Sequence, residues 1–186
     1  MITIKPKKGD LLIAEPSIIG DSSFNRSIVL LADHTPEGSI GFILNKPLDY
    51  TIQDLIPELK ANFKIYNGGP VEQDNLYFIH KVPELIPNSI EISLGIYWGG
   101  DFDKVAELIA NNELQENNIR FFLGYSGWDA NQLEEELKTN SWVVSENIYK
   151  KKKKKKDYQF FWKEKMVELG GEYSIWSNAP EDPSAN

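Results

Sequence analysis

The sequence has no cysteine, only two histidines, and no apolar run long enough to cross a bilayer. Without cysteine there is no disulfide framework, no thiol nucleophile, no Cys-ligated zinc and no thiolate-held iron–sulfur cluster. The longest apolar run near the start, residues 11–14, falls far short of the roughly 20 residues that a spanning helix needs. The opening MITIKPKKGD carries positive charge but no apolar core, so no signal peptide is read and the expected location is the cytoplasm. His34 and His80 stand alone in HTPEG and FIH. No HxH or HExxH spacing exists, so neither a metal nor a cofactor is expected.

What is present describes an ordinary globular chain. Its 186 residues suit one domain, and five Trp, eight Tyr and nine Phe supply the apolar surface for a core. The net charge is −8, although seven of the twenty basic residues form one run at 150–156. The remainder is strongly acidic and repels a phosphate backbone, so direct nucleic-acid binding is not expected, nor is a membrane. The lysine run lacks interleaved aromatics to stack on bases and reads as a solvated loop. It divides a domain at 1–149 from a C-terminal segment at 157–186, where FFWKEKMVELGG reads as a helix before an irregular tail. That segment is expected to pack on the same domain.

Residues 11–15, 27–32 and 38–45 read as short buried strands. Loops lie between them at PSIIGDSSFNR and DHTPEG. Gly41 inside the third suggests a bulge or a close backbone approach. Thr51 caps a short helix ending before Pro57. Strands follow at 63–67, 76–80, 89–94 and 96–98, the last two paired around Gly95. In FDKVAELIANNE, Phe102, Val105, Ala106, Ile109 and Ala110 give one apolar helix face, with Asp101 as N-cap. A strand at 119–125, a helix at 129–138 and a strand at 142–145 complete the pattern. Strands that mostly do not alternate with helices predict an α+β fold: a curved, barrel-like antiparallel or mixed sheet with flanking helices.

Three turns offer polar or glycine-rich groups after apolar strands. GFILNKP ends in Asn45, Lys46 and Pro47. GGPVEQD presents Gly68, Gly69 and Pro70 but lacks the residues of a P-loop. LGYSGWD presents Tyr125, Ser126, Gly127 and Trp128. GYSGW has Trp128 where a nucleophile elbow needs glycine, so Ser126 is not read as a nucleophile. Asp129 with Gln132 reads instead as a capping box opening an acidic helix. No catalytic residue is assigned, and the binding candidates are the nine residues from Asn45 to Trp128 just named with their turns, Pro47 aside.

GDLLIAEP, FNRSIVLLADHTPEGSIGFILNKP, YNGGPV and FFLGYSGWDANQLEEEL, followed by SWVV, resemble in that order the YqgE/AlgH family across residues 9–144. The resemblance implies a bacterial cytoplasmic protein with an α+β fold around a barrel-like sheet. It carries over the motif residues, with Gly124, Gln132, Phe24, Arg26 and His34 besides those above, but no catalytic set. Some members of that family carry the label of transcriptional regulator, and the resemblance implies no established reaction. The acidic body and the absence of a helix-turn-helix with a basic face make that role indirect, through a protein or small-molecule ligand. The expectation is therefore a non-enzymatic binding or regulatory protein. The alternative is a hydrolase or transferase using His34 or His80 as base beside Ser126, Lys46 or a carboxylate.

Overall fold

Alternation along the first strands sets the layers. The computed structural model describes residues 5–15, 23–93 and 95–145. The lysine run, the C-terminal segment and most of the loop at 16–26 lie outside them. In chain order the elements are β1 (Leu11–Ala14), β2 (Ile28–Thr35), β3 (Gly38–Ile43), β4 (Pro47–Thr51), α1 (Ile52–Leu55), β5 (Lys64–Asn67) and β6 (Val71–His80). They continue with β7 (Ile90–Ser93), β8 (Ile96–Trp98), α2 (Phe102–Ala110), β9 (Ile119–Asp129), α3 (Gln132–Lys138) and β10 (Trp142–Ser145). Leu11 and Ile13 of β1 join Leu30, Phe42 and Phe122 in one cluster. Leu12 and Ala14 point the other way, to Val29, Trp128 and Trp142. A strand turns successive side chains to opposite faces. With both faces covered, every residue of LLIA is buried, which is why the sequence shows an unbroken apolar run there.

The strands run β10-β1-β2-β3-β9-β6-β8-β7, almost wholly antiparallel. Phe42 on β3 and Trp98 on β8 are three ladder steps apart, about 14 Å in a flat sheet. Their ring centroids lie only 6.0 Å apart. The sheet therefore curls, and its two halves face each other across the first cluster. The barrel-like expectation is not met, because among the described residues no pairing joins β10 to β7. The α+β reading stands.

The helices lie outside the curl. Val105, Leu108 and Ile109 of α2 pack on Phe78, Ile119 and Phe121, each worth about 1.5–3 kcal/mol of burial. Asp101 caps α2 by accepting from the Lys104 N–H (3.3 Å). Ala110, read as part of the buried face, is exposed. In α1 the Asp54 carboxylate accepts from the Thr51 N–H (2.8 Å). On the other side, Leu133 and Leu137 of α3 cover Trp128 and Trp142.

β9 is the hub. Its residues Phe121–Leu123 pair in parallel with β5 on one edge and antiparallel with β6 on the other. The chain passes from one edge of β9 to the other between Asn67 and Val71, through Gly68, Gly69 and Pro70. Backbone here crosses backbone. A Cβ on Gly69 would lie 2.2 Å from the Tyr125 carbonyl oxygen, and one on Gly124 would lie 2.5 Å from the Gly69 oxygen. Gly124 also has φ +73°, and a bulge here leaves residues 72–75 of β6 without a partner on β9.

Two sequence boundaries shift. GGPVEQD is not all turn, since β6 already begins at Val71. Asp129 is not a helix cap but the last residue of β9, opposite Gly38, and α3 starts at Gln132 with Asn131 as N-cap. The capping contact itself forms, with the Asp129 N–H donating to Gln132 Oε1 (2.9 Å). Sheet pairing extended the strand past the point where local propensity opened a helix.

Candidate ligand-binding cleft

The three candidate turns meet at the crossover. Gly68 O accepts from the Ile43 N–H (2.9 Å) and from Ser126 Oγ (3.1 Å). The Lys46 carbonyl accepts from the Asn67 N–H (2.8 Å). Most of the polar groups there are directed inward. Asn45 is buried and bridges two segments. Its Oδ1 accepts from the Ile28 N–H (2.9 Å), and its Nδ2 donates to the Arg26 carbonyl (2.8 Å). Lys46 Nζ donates to the Ser23 carbonyl (3.1 Å). Ser126 is fully buried. Trp128 lies against Phe24 and Trp142, and its Nε1 donates to Glu136 (2.7 Å). Pro70 is exposed at the exit of the crossing.

Beside this knot, at the end of the curled sheet, opens a shallow cleft of about 460 Å³. Strand register explains its floor. Asp33, Ile40 and Gly127 stand opposite one another on β2, β3 and β9, so they share one face. Tyr125 and Val71, paired across β9 and β6, continue that floor. Asp33, Glu37 and Asp129 bring carboxylates to the lining. Among the described residues none of the three forms an ion pair, so unpaired carboxylates stand beside Ile40, Val71 and Tyr125 in a lining that is part polar and part apolar. At the neighbouring bulge the Tyr77 hydroxyl donates to the Glu72 carboxylate. That bond, with one from Asn75, holds Glu72 below the usual carboxylate range. Desolvation first, and then the Glu72 contact, push the Tyr77 hydroxyl up, so it stays protonated.

Gly127 separates the cleft from the knot. Gly68, Gly69 and Gly124 are glycine because a Cβ would strike backbone. At Gly127 the φ is ordinary, and a Cβ would make routine contacts with Tyr125 Cε2 (3.4 Å) and Val71 Cγ2 (3.8 Å). The residue is exposed. The local backbone does not require glycine there; its missing side chain leaves the floor open.

The histidines divide. His80 accepts from the Val82 N–H at Nδ1 (3.2 Å), so its Nε2 carries the proton toward the Gly99 carbonyl (3.2 Å). Burial pushes its pKa below the ordinary 6.5. Both nitrogens are engaged in holding a loop. His34 Nδ1 lies 2.6 Å from Ser39 Oγ, and its Nε2 lies 3.5 Å from Glu134. Ser39 stands opposite Trp128 on the α3 face of the sheet, and like Trp128 it also borders the cleft. It is 6% exposed. Among the described residues no cluster of three potential metal ligands occurs, and no helix is long and apolar enough to cross a membrane.

Of the nine candidate residues, Tyr125, Gly127 and Trp128 line the cleft, while Asn45, Lys46, Gly68, Gly69 and Ser126 build its support. Asp33, Thr35, Ile40 and Val71 were missed. Their only sequence signal is that they flank turns, and cross-strand register is needed to bring them together.

The family model described as AlgH-like matches residues 11–174. A "UPF0301 protein" of Bacteroides thetaiotaomicron is 44% identical over 98% of this chain and 93% of its own length. The solution structure of the AlgH protein from Pseudomonas aeruginosa aligns with a TM-score of 0.67 at 25% identity, covering 97% of this chain and 98% of that one. A crystal structure from Corynebacterium diphtheriae, 21% identical, shares the fold with a TM-score of 0.76 over 96% of this chain and 95% of its own.

Proposed function

This chain belongs to the AlgH-like family, and we propose that it works as a non-enzymatic binding protein whose cleft receives a cationic group carried on an apolar body. The observation that carries this reading is Gly127, an unforced glycine on an open floor beside carboxylates that form no ion pair among the described residues. Apolar contact with Tyr125, Ile40 and Val71 supplies area, and Asp33, Glu37 and Asp129 supply charge selection. A regulatory role of the kind some family members are labelled with would then be exerted through a captured ligand or protein in the cytoplasm. An acidic mouth disfavours direct contact with DNA.

The test is amide chemical-shift mapping with hexylamine, and with hexanoate as the charge-reversed control. Hexylamine should shift the amides of Asp33, Ile40, Gly127 and Asp129, and hexanoate should not. Gly127→Leu should fold normally and lose the response. Equal responses to the two probes, or none in the native chain, would overturn the reading. The enzymatic alternative draws on one observation, the Ser39–His34–Glu134 chain. Its serine is almost wholly buried at the border of the cleft, with its hydroxyl engaged by His34, and we read the chain of contacts as a latch between hairpin and helix.

A further inference from the structure

The β9 strand outruns one of its neighbours. On the β6 side its last partner is Val71, opposite Tyr125. On the β3 side pairing continues to Asp129. Among the described residues, Gly127–Asp129 therefore have a strand on one edge only. The Asp129 N–H turns to Gln132 Oε1 (2.9 Å) and so away from β3. In an antiparallel ladder alternate residues direct their backbone groups to the same edge. Gly127, two residues earlier, then directs its N–H and C=O to the open side as well. The Asp129 N–H is already taken by Gln132, so the Gly127 N–H and C=O are the groups an added strand would meet first, and an edge with unpaired backbone groups is a template for another strand. This one borders the acidic cleft, and at Gly127 it has no side chain to obstruct approach.

We propose that the occupant of the cleft is an extended peptide segment of a protein partner, added as a short strand along the open edge of β9 at Gly127–Asp129, with a lysine or arginine side chain directed to Asp129. This rests on the binding reading above and specifies its ligand. Backbone pairing supplies register, and the side chain that falls on the cleft face supplies selection. A strand alternates its faces, so every second residue of the peptide should be basic and the others apolar.

The probe is acetyl-Ile-Lys-Ile-Lys-Ile-amide, titrated calorimetrically into the full chain and compared with its Glu-for-Lys analogue. Two further versions carry backbone N-methyl groups, one on residues 2 and 4, the other on residue 3. The two sets of N–H groups point to opposite edges of the added strand, so only one set can bond to β9. One methylated version should lose at least tenfold in affinity while the other retains binding, and the Glu analogue should not bind. Equal retention by both methylated versions would overturn strand addition. If the parent peptide failed to bind while hexylamine still shifted the cleft amides, the peptide proposal would fall and the cleft would stand. Silence from both probes would remove both.

Discussion

Replacing Asn45 by alanine separates support from contact. The Asn45 amide joins the Ile28 N–H to the Arg26 carbonyl inside the protein. Truncation leaves a buried backbone donor unpaired, costing about 1–3 kcal/mol, and removes a second bond worth about 1 kcal/mol. The sum is about 2–4 kcal/mol. For a chain of this size each kcal/mol moves the melting temperature by about 2–4 °C, so a drop on the order of 10 °C is expected. Urea and thermal unfolding followed by circular dichroism give the stability change. At a temperature where the variant is still folded, its hexylamine shifts at Gly127 should match those of the parent. A variant as stable as the parent that no longer responds to hexylamine would refute the argument and make Asn45 a ligand contact.

The glycines should separate in the same way. Gly124→Ala places a Cβ 2.5 Å from the Gly69 oxygen at φ +73° and should cost over roughly 3 kcal/mol or prevent folding. Gly127→Ala should stay within about 1 kcal/mol in urea titrations. Equal effects would sink the distinction between crossover and floor. His80, held below its ordinary pKa by burial, binds fewer protons folded than unfolded, so its contribution to stability is present above pH 6.5 and declines as pH falls through the folded pKa. Relative to His80→Gln, the parent's advantage in urea midpoint should shrink from pH 7.5 to pH 5. A pH-independent difference would contradict the assignment. A fluorophosphonate probe should leave Ser39 unlabelled by mass spectrometry, since it is almost wholly buried and its hydroxyl is engaged by His34. Labelling that disappears in His34→Ala would revive the hydrolase alternative.

Local chemistry made much of the frame readable in advance. β-branched and aromatic runs bounded by turn residues located most of the strands. Apolar spacing located α2 and Asp101 its cap, and the absence of cysteine closed off whole classes of chemistry. These features depend on neighbours within a few residues, and a single chain displays them directly. The ordered motifs likewise pointed to the family. The roles of the motif residues were not readable this way. GGP looked like a turn, yet it is a passage over β9 that needs glycine because two backbones nearly touch. Asn45 looked like a displayed polar group, yet it is an internal bridge. Asp129 looked like a helix cap because its local signal was sound, but pairing with Gly38 kept it in the strand. The cleft depends on which residues of β2, β3 and β9 stand opposite one another. A one-residue change of register would turn Asp33, Ile40 and Gly127 to the other face. That register is set by the bulges and by packing of segments far apart in the chain, and only the tertiary structure decides it.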